Sequence, residues 1–180
     1  DYRVPVDYVD AVPTLAEHAC LALVAQGVSH GWAIGSLLAP KGELGAVYTL
    51  SRPLTYRAID GLVQDRLVRR KEPTGGTRDR ATLTATATGR RAAQAWLDAP
   101  VSHVRDVRVE LMLKLLLRQR AGQPVAPLVD AQLAALPFER LIDDAGAEGD
   151  LVHLWRREHA RSVQAFLLAA LHADPRETAG

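Results

Sequence analysis

The strongest constraint on the fold is a short basic hairpin that follows three short helices in the first half of the chain. Two stretches of strand-like composition, residues 68–72 and 80–84, flank a turn-rich connection over residues 73–79 that contains Gly75 and Gly76. Three helices and such a hairpin predict a winged helix-turn-helix domain over residues 14–99. Because residues 100–180 have the pattern of helices, the expected fold class is mainly α, an α+β winged helix with a helical second half.

Capping residues set the boundaries of the first two predicted helices. Thr14 and Glu17 match a capping box, which predicts a helix that ends at Gly27. A second helix is expected over residues 30–39, with Ser29 as its N-cap and Pro40 after its end. Residues 1–13, which hold two prolines and little periodicity, are expected to form an extended arm.

The third predicted helix begins at Ser51, a favourable N-cap, with Pro53 in its first turn. At 100° per residue, one face collects Leu54, Thr55, Ala58, Ile59, Leu62 and Val63. The other face carries Pro53, Tyr56, Arg57, Asp60 and Gln64, with Arg52 on the first turn. Such side chains suit phosphates and base edges, although an ordinary amphipathic surface helix would show the same pattern.

Charge is distributed unevenly along the chain. Residues 51–91 contain 10 Lys and Arg against 4 Asp and Glu, whereas the remainder contains 12 against 17. A basic segment within an otherwise acidic chain indicates one surface that faces nucleic acid. A solvated arginine-rich face is the alternative, and charge alone does not choose between the two.

The second half is predicted to be a helical dimerisation domain over residues 100–180. Thr86 caps a helix that stops near Pro100, and a longer helix is expected over residues 103–120, with apolar side chains on nearly every face. Burial by its own domain and by a second subunit would explain those faces. A helix over residues 128–136, an acidic loop over 143–149 and a final helix capped by Asp150 complete the prediction. An apolar stripe on the last helix is expected to pack on preceding helices or on a partner; its members are Trp155, His159, Val163, Phe166, Leu167 and Ala170.

The order of these segments resembles the PadR family of bacterial transcriptional regulators. The resemblance lies in residues 29–34 (SHGWAI), 51–58 (SRPLTYRA), 65–68 (DRLV) and 86–90 (TATGR), and continues with 103–108 (HVRDVR), 113–115 (LKL) and 155–158 (WRRE). It covers residues 14 to about 170. This chain has Trp32 where the family usually has tyrosine, and Ala85-Thr86 where Leu-Thr is commoner.

The resemblance implies a homodimer whose C-terminal helices clasp the partner and whose third helices reach successive major grooves of a pseudo-palindromic operator. It also implies a repressor that responds to a small aromatic or hydrophobic effector. The residues expected to contact double-stranded DNA are Ser51, Arg52, Pro53, Tyr56, Arg57, Gln64, Arg78 and Arg80. Trp96 and Trp155 are candidates for stacking on an effector, and core packing is the alternative for both.

Other function classes lack a motif in this sequence. It contains no nucleophile elbow, nucleotide loop or HExxH, so we expect no enzyme, and no Cys and His set predicts a metal site or a cofactor. Cys20 fits a small core residue better than a redox sensor, and a lone cysteine suits a reducing cytoplasm. No apolar run is long enough to span a membrane. The alternative function is a winged helix that contacts protein, as an accessory subunit or antagonist of another regulator.

Overall fold

The computed structural model describes residues 13–72, 81–143 and 150–172. Residues 1–12 of the predicted arm, the wing connection with Arg78 and Arg80, and residues 144–149 of the predicted acidic loop lie outside these ranges. The first half contains α1 (Leu15–Ala25), α2 (Gly31–Leu37), α3 (Arg52–Gln64), β1 (Val68–Lys71), β2 (Thr82–Ala85) and α4 (Ala87–Asp98). The described part of this half is therefore a winged helix, as the sequence predicts.

The capping residues of α1 and α4 act as predicted. The hydroxyl of Thr14 accepts from the backbone N–H of Glu17, and the Glu17 carboxylate accepts in return from the N–H of Thr14. The Thr86 hydroxyl accepts from the N–H of Gly89 at 3.0 Å and donates to the carbonyls that precede β1. Thr86 therefore begins α4 and also ties it to the wing.

The predicted cap of α2 is wrong by one residue. The helix begins at Gly31 after His30, because the Ser29 carbonyl accepts a hydrogen bond from the N–H of Leu83 at 2.7 Å. The Nδ1 atom of His30 also lies 3.2 Å from the carbonyl oxygen of Ala81. The segment before α2 is thus bound along β2, and this tertiary pairing overrides the local preference of serine for an N-cap.

The wing strands pair antiparallel, with Val68 opposite Ala85 and Lys71 opposite Thr82. The second strand is Thr82–Ala85 and not residues 80–84 as predicted. The later end follows from burial, since Leu83 and Ala85 alternate toward the core with Thr84 exposed between them.

The second half contains α5 (Val104–Asp106), a π-helical segment (Val107–Leu111), α6 (Met112–Arg120), α7 (Ala126–Ala135), α8 (Phe138–Asp143) and α9 (Leu151–His172). The sequence predicted one uninterrupted helix over residues 103–120 and did not predict the π-helical segment or α8. The N-cap of α9 is as predicted, with Asp150 accepting from the N–H groups of Val152 and His153.

Two hydrophobic cores lie along the described chain. The first surrounds α1, whose residues 19–23 are completely buried against α3, α4 and the wing. The second joins the helices from α5 to α9. Leu113 and Leu117 of α6 belong to the first core, whereas Leu115 belongs to the second, so α6 connects the two halves. The boundary at residues 99 and 100 stays a prediction.

Candidate nucleic-acid interface

The buried residues of α3 show which side of the helix faces outward. Thr55, Ala58, Ile59 and Leu62 are buried, and the Thr55 hydroxyl donates to the carbonyl of Ser51 at 3.0 Å. Leu54 was grouped with this apolar face, but 47% of it is exposed. The residues beside it at the start of the helix are exposed as well, so the first turn of α3 projects beyond the core.

The described residues predicted to contact DNA are all exposed: Ser51, Arg52, Pro53, Tyr56, Arg57 and Gln64. Ser51 occupies the N-cap position, but its side chain makes no capping hydrogen bond. Free backbone N–H groups at a helix N-terminus favour an anion. The set therefore lies on the outward side of α3, with most members in its first two turns and Gln64 at its C-terminal end.

Tyr56 is held in place by a glycine on α2. A Cβ atom added at Gly31 would lie 2.8 Å from Cε1 of Tyr56 and 3.3 Å from Cδ1 of Ile59. The tyrosine ring therefore lies directly against the α2 backbone while 47% of the residue stays exposed. A ring packed in this way is a rigid contact surface that stays half exposed in the second turn of α3.

A basic residue that the sequence analysis did not single out joins this surface. Lys41 is exposed in the loop between α2 and α3, and it lines a cleft of about 440 Å³ together with Thr49, Ser51 and Arg52. The signal available in the sequence was a lysine placed between Pro40 and Gly42, ten residues before the cap of α3. Two cations beside a helix N-terminus form a suitable environment for a phosphate.

The wing continues the surface at the C-terminal end of α3. Arg69 and Lys71 of β1 are exposed, whereas Arg70 forms an ion pair with Asp60 of α3 at 2.5 Å. That pair joins wing to helix and neutralises an acidic group on the outward face of α3. Arg78 and Arg80, which were expected to meet phosphate, lie outside the described residues.

Arg66 adopts a backbone conformation that glycine normally provides. The described residues with positive φ are Gly27 (92°), Arg66 (58°) and Gly122 (69°). Each follows a helix, and each is part of the paired main-chain hydrogen bonds of a Schellman motif. A left-handed arginine costs about 1–2 kcal/mol. The chain keeps an exposed cation between α3 and the wing at that cost.

The two effector candidates have different environments. Trp96 is buried on α4, where it stacks on His18 with 4.9 Å between ring centroids and donates from Nε1 to Glu110 at 3.1 Å. Trp155 is 61% exposed on α9, with its ring centroid 5.2 Å from that of His159. The contacts of Trp96 are those of a packed anchor, and its effector role stays a prediction.

Other candidate chemistries have weak geometric support. Cys20 is completely buried, and burial raises the pKa of its thiol to about 12, which disfavours the reactive thiolate. Within residues 13–72, 81–143 and 150–172, no group of three or more His, Cys, Asp or Glu side chains could hold a metal ion. In the same ranges, every helix is too short or too polar to cross a membrane.

Comparisons with known proteins found matches among solved structures. No protein-family model and no curated protein matches this chain. Among solved structures, Bacillus subtilis PadR in complex with operator DNA matches with a TM-score of 0.45 and 22% identity. The match covers 86% of this chain and 97% of the PadR chain. Membership of the PadR family stays a prediction.

Proposed function

We propose that the chain is a DNA-binding transcriptional regulator whose α3 enters the major groove and whose wing lies along the neighbouring backbone. The observation that carries this proposal is the outward side of α3. It presents Arg52, Tyr56 and Arg57, and Arg70 of β1 pairs with Asp60 of the same helix, while the opposite side is core. An exposed helix of this composition matches the geometry of groove readers.

The roles within this surface follow from side-chain chemistry. Arg57 is the residue best suited to read guanine bidentately, since it lies in the second turn of α3 and is exposed. The α3 N-terminus, with Ser51, Arg52 and Lys41, suits a phosphate. Arg66, Arg69 and Lys71 suit the backbone beside the wing.

The first experiment selects duplexes from a random pool with the pure protein and measures the affinity of the selected sequence. Arg57→Ala should weaken binding about tenfold or more, because a bidentate base contact contributes about 1–3 kcal/mol. Arg140→Ala on α8 removes an exposed arginine far along the chain from α3, so it is the matched control and should bind normally. Equal affinities for both variants would contradict the proposed orientation of α3.

We also propose a homodimer that binds a pseudo-palindromic operator and represses, with an aromatic or hydrophobic effector that weakens binding. Support for the dimer comes from exposed apolar area on α9. Six large apolar side chains are exposed there in the single chain: Leu151, Val152, Leu154, Trp155, Phe166 and Leu168. Such a patch marks an interaction surface.

The dimer is tested by sedimentation of a charge variant. Trp155→Glu should produce monomers, since it places a charge among the exposed apolar side chains of α9. Arg91→Glu is the control, because it reverses an exposed charge on α4, outside α9. A Trp155→Glu protein that stays dimeric would place the interface elsewhere.

The second candidate function is a winged helix that contacts protein. It is favoured by exposed apolar side chains on α2 and α3, where Trp32, Leu54 and Tyr56 are each about half exposed. A protein interface with an apolar centre would bind with little dependence on salt, whereas binding to several phosphates weakens steeply as salt rises.

A further inference from the structure

Buried polar side chains are concentrated at the connection between the two halves. In the described part of the chain, the polar or charged residues that are buried are Thr55, Lys114, Arg118 and Gln132. The Thr55 hydroxyl donates to the Ser51 carbonyl at the start of its own helix. The other three come from the helical half, and each forms hydrogen bonds to the main chain of residues 97–101.

Two of these contacts come from cations on successive turns of α6. Lys114 Nζ donates to the carbonyl of Ala99 at 2.9 Å and pairs with Glu110 at 2.7 Å. Arg118 donates to the carbonyl of Leu97 at 3.4 Å and to the carboxylate of Asp98 at 2.5 Å. These acceptors lie at the C-terminal end of α4, where helix carbonyls have no partner in their own helix and where positive charge is favoured.

The third contact comes from α7. The side-chain amide of Gln132 accepts from the N–H of Val101 at 2.7 Å and donates to the carbonyl of Val101 at 2.9 Å. All of these atoms are buried. Pro100 lies between Ala99 and Val101, and it keeps Ala99 in an extended conformation, with φ −78° and ψ 128°.

The connection is therefore held at three alternate residues, 97, 99 and 101, by side chains of one half. Burying an ammonium, a guanidinium and an amide is unfavourable unless their hydrogen bonds are made. Swivelling of the connection would break several of these bonds, and the bonds of Gln132 to Val101 and of Arg118 to Leu97 are buried. Packing of Leu113 and Leu117 in the first core already limits movement between the halves, and these bonds add directional constraints at the connection itself.

We infer that Lys114, Arg118 and Gln132 form a linker clamp that fixes the orientation of the winged helix on the helical half. In a dimer, the clamp would also set the separation of the two α3 helices and so the half-site spacing that the protein accepts. This second consequence rests on the proposed function. The clamp itself is a property of one chain.

The first test measures orientation without DNA. Spin labels at Arg57→Cys and Ala134→Cys, both exposed positions, report the distance between α3 and α7. Labelled chains are diluted with unlabelled protein so that distances within one chain dominate. The buried Cys20 thiol is protected from the label. In this background, Gln132→Leu should broaden the distance distribution, because it keeps the volume of the side chain but removes both bonds to Val101.

Two further variants keep the test decisive. If Gln132→Leu fails to fold, Lys114→Met removes the bond to Ala99 while its ion-pair partner Glu110 remains partly exposed to solvent. Val129→Ala removes volume from the same core but no hydrogen bond to residues 97–101, and it should leave the distribution unchanged. Clamp variants that fold with the narrow distribution of the unsubstituted protein would overturn the inference.

The second test varies the half-site spacing of the selected duplex. One added base pair moves a half-site by about 3.4 Å and turns it by about 35°. The unsubstituted protein should lose about tenfold in affinity for that duplex, because a misplaced half-site forfeits base contacts that each contribute about 1–3 kcal/mol. A clamp variant should lose clearly less while it keeps its preference for the half-site sequence. Equal losses would overturn the role in spacing. Absence of any DNA binding by the unsubstituted protein would instead overturn the proposed function, and the label distances would still decide the clamp.

Discussion

The stability of the fold should change by very different amounts when Lys114 or Glu110, the two partners of one ion pair, is replaced. The side chain of Lys114 is 2% exposed, whereas that of Glu110 is 34% exposed. Glu110→Gln would leave a buried ammonium with neutral acceptors only. Breaking a buried pair in this way costs about 3–5 kcal/mol. Because the glutamine amide oxygen can still accept from Lys114, we expect a loss of stability of about 3 kcal/mol, at the lower end of that range.

Lys114→Met removes the other partner at a lower cost. Methionine has a similar length and no charge to bury, so the main losses are the hydrogen bond to Ala99 and an ion pair with a group that solvent can reach. We expect a loss of about 1–2 kcal/mol. The double variant should be more stable than Glu110→Gln alone, because it no longer contains an unpaired buried charge.

Urea unfolding followed by circular dichroism, at one fixed protein concentration, measures these differences as shifts in the midpoint at constant slope. Tryptophan fluorescence, to which Trp32, Trp96 and Trp155 all contribute, gives a second probe of the same transition. A Lys114→Met variant that loses as much stability as Glu110→Gln would refute the reasoning from unequal exposure.

The remaining predictions concern single positions. Gly89→Ala should destabilise the fold by several kcal/mol, since its Cβ would lie 2.0 Å from the carbonyl oxygen of Leu67; thermal unfolding measures this, and a shift of only one or two degrees would contradict it. Burial lowers the pKa of His18 below its usual 6.5, so the unfolded chain binds a proton at His18 more readily than the folded chain does, and the free energy of unfolding should fall as pH drops below about 6.5. His18→Gln should flatten this dependence of stability on pH in urea titrations, and an unchanged dependence would exclude His18 as its source. Arg66→Gly should raise the urea midpoint, by about 1 kcal/mol in stability, while weakening DNA binding; a lower midpoint would show that the left-handed conformation is not strained.

Much of the fold could be predicted because its signals are local. The capping box at Thr14, the cap at Thr86 and the cap at Asp150 each act between residues two or three apart, and all three were predicted. The Ser29 prediction was wrong because the competing partner, Leu83, lies more than fifty residues away in the sequence. The π-helical segment lacks a local signal, since its residues also suit an ordinary helix.

The candidate site was predicted in part for the same reason. Helical periodicity is enough to place Tyr56 and Arg57 on the outward side of α3. It does not show that Asp60 pairs with Arg70 or that Lys41 lies near Arg52, because those contacts depend on how the wing and loop pack. The buried linker contacts of Lys114, Arg118 and Gln132 were also beyond reach, since a polar residue on a helix is ordinarily expected at the surface.

The most direct test of the proposed function is the salt dependence of affinity for the selected duplex. Lys41, Arg52, Arg57, Arg69 and Lys71 are exposed cations on α3, the wing and the loop before α3, where DNA binding is proposed. If a dimer neutralises about six phosphates, the logarithm of the affinity should fall with the logarithm of the salt concentration, with a slope of about −5. That slope, together with competition by the selected sequence only, is the result we predict. A slope near zero, or no binding that the selected sequence competes for, would contradict DNA recognition by α3 and favour a protein partner.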